Sequence, residues 1–161
     1  MLNLKIGEKD YTLEYSFMAA EHKETVQKMF NVLSGAYLVK NANVSENLEL
    51  EKEKIAIVML EGTAEMVSEI PHIVKTAFYS GLLENHEVSE EEAYELQKQY
   101  MKENKIGYRK LFENIKECME NDGFFDLSGL TEMMEDMRTE EKPKKAPKKP
   151  QDHQKKSTGT N

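Results

Sequence analysis

Within the first fifteen residues, two stretches alternate between apolar and polar side chains. Residues 2–6 and 11–15 both follow this alternation, and the four residues between them, Gly7 to Asp10, have the composition of a turn. A period of two residues is typical of β-strands, so the pattern predicts a hairpin of two strands. Because an isolated hairpin is only marginally stable in water, one of its faces must pack on the rest of the protein.

Apolar residues recur at helical spacing from residue 16 onwards. A first helix is expected to begin at Ser16, a favourable N-cap residue, and to end near Gly35. The polar residues 40–47 predict a loop. A second helix is expected from Leu50 to Leu60, with its charged first half in solvent and its end at Gly62.

The clearest helical stripe lies between residues 70 and 82. Ser68 is expected to cap this third helix, and Pro71 to lie in its first turn, where the missing amide does least harm. Asn85 or His86 is expected to end it. The stripe consists of Ile70, Ile73, Val74, Ala77, Phe78, Gly81 and Leu82.

Three more helical segments are expected after this stripe. Ser89 and Glu92 have the spacing of a capping box, which begins a helix, and Gly107 separates that helix from the next. The turn signal at residues 121–123 precedes a short amphipathic helix. The elements together predict a mainly α (α+β) protein, in which a small N-terminal β-hairpin packs on a bundle of about five or six helices.

Composition divides the chain after residue 138. Residues 139–161 hold seven lysines, three of the four prolines and no aliphatic side chain larger than that of alanine, which predicts a disordered basic tail after one domain at residues 1–138. The domain carries 15 Lys/Arg and 27 Asp/Glu, a net charge of −12, against −8 for the whole chain. Such acidity argues against nucleic-acid binding. No apolar run approaches the roughly 20 residues that span a bilayer, so we expect no membrane partner.

The residue types that usually carry catalysis are sparse and scattered. His22, His72, His86 and His153 have no second His or Cys at metal-ligand spacing. Cys118, the single cysteine, falls on an apolar helical face and is expected to be a buried hydrophobic residue. We therefore expect no enzymatic activity, cofactor or metal.

Methionine is unusually frequent, with ten copies in 161 residues. Flexible thioether side chains adapt to varied apolar partners. Five methionines are interpreted as core residues: Met29, Met59, Met66, Met101 and Met119. The last helix has less to pack against, so its apolar side chains predict a partner-binding surface. That predicted surface consists of Phe124, Phe125, Leu130, Met133, Met134 and Met137.

One order of features stands out in residues 1–138: the hairpin of residues 2–15, the helix end YSGLL at 79–83, the Asn85-His86 turn, and the helix start VSEEEA at 88–93. Together with the closing amphipathic helices, they resemble the tail assembly chaperones of long-tailed, siphovirus-like bacteriophages, in the type found in phages of Gram-positive hosts. The resemblance covers most of residues 1–138 and consists of turns and apolar spacing.

The resemblance implies a function and two partners. In that family the protein binds the tape measure protein, a long helical chain that sets tail length, and keeps it soluble until tail tube subunits displace it. A longer product, made by a ribosomal frameshift, recruits the major tail tube protein. Lys144-Lys145 and Lys148-Lys149 are compatible with adenine-rich codons, so we expect the shorter, unshifted product. The resemblance also implies a location in the host cell cytoplasm and absence from the mature virion.

Two other functions stay open at this point. One is a structural head–tail connector or tail terminator subunit that is retained in the virion. The other is a regulatory adaptor that binds a helical partner. Exposed apolar stripes also favour self-association, although no feature of the sequence sets a number of copies.

Overall fold

The computed structural model describes residues 1–36 and 48–140. In these ranges the chain forms two strands and seven helices: β1 (Leu2–Ile6), β2 (Lys9–Leu13), α1 (Phe17–Glu21), α2 (Lys23–Leu33), α3 (Leu48–Leu82), α4 (Glu90–Asn104), α5 (Tyr108–Asn121), α6 (Phe124–Leu127) and α7 (Leu130–Glu140). The predicted mainly α fold with an N-terminal hairpin is confirmed. Three predictions concern features outside the described residues: the loop at 40–47, the exposure of the charged side chains at the start of the second helix, and the tail beyond Glu140.

The hairpin has the predicted antiparallel pairing. Leu2 pairs with Leu13, and Leu4 with Tyr11, across a turn in which Gly7 has a φ of 61°. Positive φ is readily adopted by glycine because it lacks a Cβ. Leu4 and Leu13 are buried, so the hairpin packs one face on the helices, as its marginal stability in isolation requires.

The expected first helix is divided into α1 and α2, so the prediction of one helix from Ser16 was wrong. His22 adopts an extended conformation between them, and its Nδ1 accepts a hydrogen bond from the Thr25 amide. The histidine therefore caps α2 from inside the expected helix. Ser16 is the N-cap residue of α1, but its side chain makes no capping hydrogen bond.

The expected second and third helices are one continuous helix, α3, which corrects three predicted boundaries. Gly62 and Pro71 both lie inside it, and Ser68 donates its hydroxyl to the Glu65 carbonyl at 2.7 Å instead of capping a new helix. A proline in a helix interior costs about 3 kcal/mol because the amide donor is lost. Side chains such as Phe78, each worth about 1.5–3 kcal/mol when fully buried, outweigh that cost.

The segment after β2 docks on the C-terminal end of α3. The Glu14 amide donates to the Gly81 carbonyl at 2.8 Å, and the Tyr15 hydroxyl donates to the Ala77 carbonyl at 3.0 Å. The fully buried Tyr15 ring occupies the space beside Gly81, where a Cβ would lie only 2.8 Å from the ring carbon Cζ. The close approach therefore depends on glycine at this position.

The predicted boundaries at and beyond the end of α3 hold in part: α3 ends three residues before the predicted Asn85, whereas α4 begins as predicted. The helix ends at Leu82, and His86 in the following turn accepts a hydrogen bond from the Thr12 amide at its Nε2 (2.9 Å). The capping box is confirmed, since Ser89 Oγ accepts from the Glu92 amide and the Glu92 carboxylate accepts from the Ser89 amide. The single expected terminal helix is interrupted at residues 128–129, which separates α6 from α7.

Candidate partner-binding surfaces

The six residues of the predicted partner surface lie at different depths in the structure. Phe124 and Leu130 belong to the core, and Phe125 and Met134 are partly buried. The Phe124 ring meets the Tyr15 ring edge to face, with centroids 6.2 Å apart. These two core residues position α6 and α7 on the domain, and the other four are at least partly exposed.

Met133 and Met137 are the exposed pair on α7. Their exposed fractions are 51% and 37%, and both line a shallow groove of about 330 Å³. Met134, about 100° around the helix from Met133 and about 60° from Met137, lines a separate groove of about 320 Å³ together with Leu33 and Phe125. The partly or fully exposed members of the predicted set form the C-terminal surface: Phe125, Met133, Met134 and Met137.

A second exposed apolar surface lies on α3. Ile57, Leu60 and Val67 are 55%, 72% and 60% exposed, and Ala64 between them is exposed as well. These four residues, termed the α3 face below, recur at intervals of three, four and three. At 3.6 residues per turn they occupy about 80° of the helix circumference, so they form one stripe. Sequence reasoning missed this stripe, although its spacing was the signal that could have found it.

Methionine burial agrees with most of the interpretation from sequence. Met29 and Met119 are buried, and Met66 and Met101 pack partly against the core. Met59 is exposed on α3, so its interpretation as a core residue was wrong. Its neighbours Ile57 and Leu60 are exposed as well, so the core does not cover α3 around Met59.

The cysteine occupies a buried polar contact rather than an accessible cleft. Its Sγ donates to Asp122 Oδ2 at 3.4 Å, and burial raises the pKa of the Cys118 thiol to about 11, with the nearby carboxylate acting in the same direction. Asp122 also accepts from the Tyr15 amide at 2.9 Å and contacts the α-amino group of Met1. These hydrogen bonds lower the pKa of Asp122, against an opposing effect of partial burial. The arrangement ties the hairpin to α5.

A histidine and a threonine lie in contact at the start of α2. His22 Nδ1 is 2.9 Å from Thr25 Oγ1, and that buried hydroxyl donates to Ser80 Oγ at 2.9 Å. Ser80 donates in turn to the Ala77 carbonyl. The chain of hydroxyls links α2 to α3, and the histidine is engaged in capping. Among residues 1–36 and 48–140, no group of three or more His, Cys, Asp or Glu side chains is arranged to hold a metal ion.

Comparisons with known proteins add no relative. No family model matches the chain, and neither a curated protein nor a solved structure shows a significant match. In the part of the chain that the structure describes, no helix combines the length and apolar character needed to cross a bilayer.

Proposed function

We propose that this protein is a tail assembly chaperone of a long-tailed bacteriophage, which binds apolar helical segments of the tape measure protein. The observation that carries the proposal is the presence of exposed apolar stripes on two helices, α3 and α7, of a strongly acidic chain. The sequence resemblance supplies the identity of the partner. In this role the chaperone shields the tape measure protein until major tail tube subunits replace it.

The size of the exposed stripes suits a contact that must later be released. Full burial of a Leu, Ile or Val side chain contributes about 1.5–3 kcal/mol, so covering the exposed parts of Ile57, Leu60 and Val67 contributes roughly 1–2 kcal/mol each. Association itself costs about 4–15 kcal/mol in lost freedom of motion. Three such side chains together contribute roughly 3–6 kcal/mol, at or below the lower end of that cost, so one contact of this size is weak and readily displaced, and a stable complex needs several of them at once.

The charge of the domain supports the same role. Residues 1–138 carry a net charge of −12, and a net charge far from zero keeps a protein and its complexes soluble. A chaperone that coats an apolar chain with acidic domains gives the complex a repulsive outer surface. Aggregation of the tape measure protein would thereby be suppressed before the tube assembles.

Co-expression with the tape measure protein of the same phage tests the proposal. We expect the tape measure protein to be soluble, and to co-purify, only when this chain is present. Replacement of Met133, Met134 and Met137 by Ser should reduce co-purification while leaving helix content unchanged.

Met18→Ser provides the matched control, because this exposed methionine lies on α1, outside both proposed surfaces. A tape measure protein that is equally insoluble with and without this chain would contradict the proposed function. Unchanged co-purification by the triple variant would instead remove the C-terminal surface from the binding site.

A further inference from the structure

The outer edge of β1 carries backbone groups that the hairpin itself does not pair. Two residues separate β1 from β2, so Ile6 and Lys9 at the ends of the turn form a hydrogen-bonded pair, and hydrogen-bonded and non-hydrogen-bonded pairs alternate from there. Asn3 and Lys5 therefore direct their amide and carbonyl groups away from β2. Both residues are exposed, and within the described part of the chain these outward groups have no hydrogen-bond partner.

The equivalent edge of β2 is covered by the domain over its second half. Thr12 faces outward in the same way as Asn3, its partner in the register, and the Thr12 amide donates to His86 Nε2 at 2.9 Å. The next outward amide, that of Glu14, donates to the Gly81 carbonyl at 2.8 Å. These two contacts agree with the alternation that directs Asn3 outward on β1. The hairpin therefore has one edge docked on the domain and one edge with unused donors and acceptors.

The edge of β1 is complementary to a second copy of itself. In an antiparallel pair of β1 strands centred on Leu4, Asn3 of each copy lies directly opposite Lys5 of the other. Both residues direct their backbone groups outward, so each of these pairs would exchange both of its N–H···O hydrogen bonds. Such a pairing is isologous, because the same surface serves both copies. An exposed edge is a liability in every copy of a protein, and this pairing covers it in both copies at once.

Neighbouring registers conflict with contacts that the protein already makes. A pair centred on Lys5 would place two lysines directly opposite each other, which is unfavourable. It would also use the Gly7 amide, which already donates to Glu103 Oε2 at 3.0 Å. A pair centred on Asn3 would use the backbone of Met1, whose amino group already contacts a carboxylate. The register centred on Leu4 avoids these conflicts.

The side chains beside the edge are compatible with the same register. Lys5 lies opposite Asp10 in its own hairpin and would lie opposite Asn3 of the second copy, so no like charges are directly opposite. On the other face of the sheet, Leu4 would lie opposite Leu4 of the second copy. The buried apolar faces of the two hairpins would therefore lie on the same side of the enlarged sheet.

We infer that the outer edge of β1 is a dimerisation site, at which a second copy of this chain adds its own β1 in the antiparallel register centred on Leu4. The inference does not depend on the proposed function. The contact is small, and interfaces below about 1,200 Å² are typical of weak, reversible association. Each chain carries a net charge of −8, so the copies repel one another and added salt should strengthen the dimer.

Sedimentation equilibrium of the full-length protein measures the dimer Kd at low and high salt. We expect a reversible equilibrium between monomer and dimer, with a Kd that falls as the salt concentration rises. Amide hydrogen exchange followed by NMR locates the contact in the same sample. The amides of Asn3 and Lys5 should exchange more slowly as the protein concentration rises, whereas that of Asp10, which faces outward on β2, should not change.

Substitutions of Asn3 test the register. Asn3→Asp would place a carboxylate opposite Lys5 of the other copy and would still accept the hydrogen bond from the Thr12 hydroxyl, so it should lower the Kd by about threefold or more. Asn3→Lys should raise the Kd by a similar factor. Net charge alone predicts the opposite signs, because the aspartate adds negative charge to an acidic protein. A register centred on Asn3 also predicts that the aspartate variant dimerises more weakly.

Proline substitutions test the backbone hydrogen bonds. Lys5→Pro removes an outward amide, a change that edge strands tolerate, and should abolish the dimer. The matched control is Asp10→Pro, which removes an outward amide from β2 and should retain the dimer. Circular dichroism shows whether each variant folds, and if Lys5→Pro does not fold, the two substitutions of Asn3 decide the question.

A protein that stays monomeric, or a dimer that no substitution of Asn3 or Lys5 alters, would overturn the inference. Protection of the two amides only after the tape measure protein is added to a monomeric chain would also overturn it, and would assign the edge to an extended segment of that partner. A dimer that behaves as expected but fails to solubilise the tape measure protein would retain the inference and remove the proposed function.

Discussion

Gly81→Ala is expected to destabilise the fold because of one close approach. In the wild-type protein the fully buried Tyr15 ring occupies the space where a Cβ of residue 81 would lie, near the end of α3. An alanine Cβ would lie 2.8 Å from Tyr15 Cζ and 2.9 Å from its hydroxyl oxygen, whereas comfortable carbon contacts are about 3.5–4.0 Å. Either the ring or the backbone must move.

The magnitude follows from what opposes that movement. Overpacking a core typically costs about 1–3 kcal/mol, and the ring is fully buried, with no open space to enter. A shift would also weaken the hydrogen bond from the Tyr15 hydroxyl to the Ala77 carbonyl, a loss of about 1 kcal/mol. Alanine also has the higher helix propensity, which raises the free energy of unfolding by about 1 kcal/mol. The expected net loss is therefore about 1–3 kcal/mol.

Urea unfolding followed by circular dichroism measures this loss. The matched background is Tyr15→Leu, in which the smaller side chain leaves room for the new methyl group. Gly81→Ala should cost less in that background than in the wild type, so the destabilisation of the double variant should be smaller than the sum of the two single costs. A Gly81→Ala protein as stable as the wild type, or a cost that is equal in both backgrounds, would refute the proposed packing.

Two further predictions concern the polar contact beneath the hairpin. Because hydrogen bonds lower the pKa of Asp122 below its ordinary value of 3.8, its stabilising contribution is present above that value and is lost as the pH falls through the lowered pKa. Urea titrations from pH 2 to 7 should therefore show a less stable protein and a flatter acid limb for Asp122→Asn, and superimposable curves would argue against the contact. With a pKa of about 11, only roughly one Cys118 thiol in a thousand is ionised at pH 8, so a disulfide reagent should modify the native protein at least about 100-fold more slowly than the urea-unfolded chain. Similar rates in the two states would show that the thiol is accessible.

Features set by near neighbours in the chain were predictable. The alternation in residues 2–6 and 11–15 identified the hairpin because strand faces repeat every two residues. Ser89 and Glu92 identified a helix start because both halves of a capping box lie within four residues. In each case the interacting groups are adjacent in sequence, so no knowledge of the tertiary packing is needed.

Helix continuity depended on distant contacts and was not predictable in the same way. Gly62 and Pro71 are unfavourable inside a helix, yet α3 continues through both because its C-terminal half is buried against the domain. His22 lies between α1 and α2, and its side chain caps α2. Histidine is not a residue type that predicts such a cap from sequence. At Gly62 and Pro71, tertiary packing outweighed the low helix propensity of the residue.

The candidate surfaces were also predictable only where local sequence decides the structure. Met133 and Met137 were correctly placed on an exposed part of the last helix, whereas the core positions of Phe124 and Leu130 depend on how α6 and α7 return to the domain. The α3 face was missed because the expected break at Gly62 separated Leu60 from Val67. Once the two segments are one helix, the stripe is continuous.

The central claim is that this protein covers a partner's apolar helices temporarily and is then displaced. Quantitative mass spectrometry of this chain, in the soluble complex with the tape measure protein and in purified mature phage particles, tests it most directly. We predict that the chain is abundant in the complex and absent from the particles. Detection at a fixed copy number in mature particles would contradict the claim and would indicate a structural tail subunit.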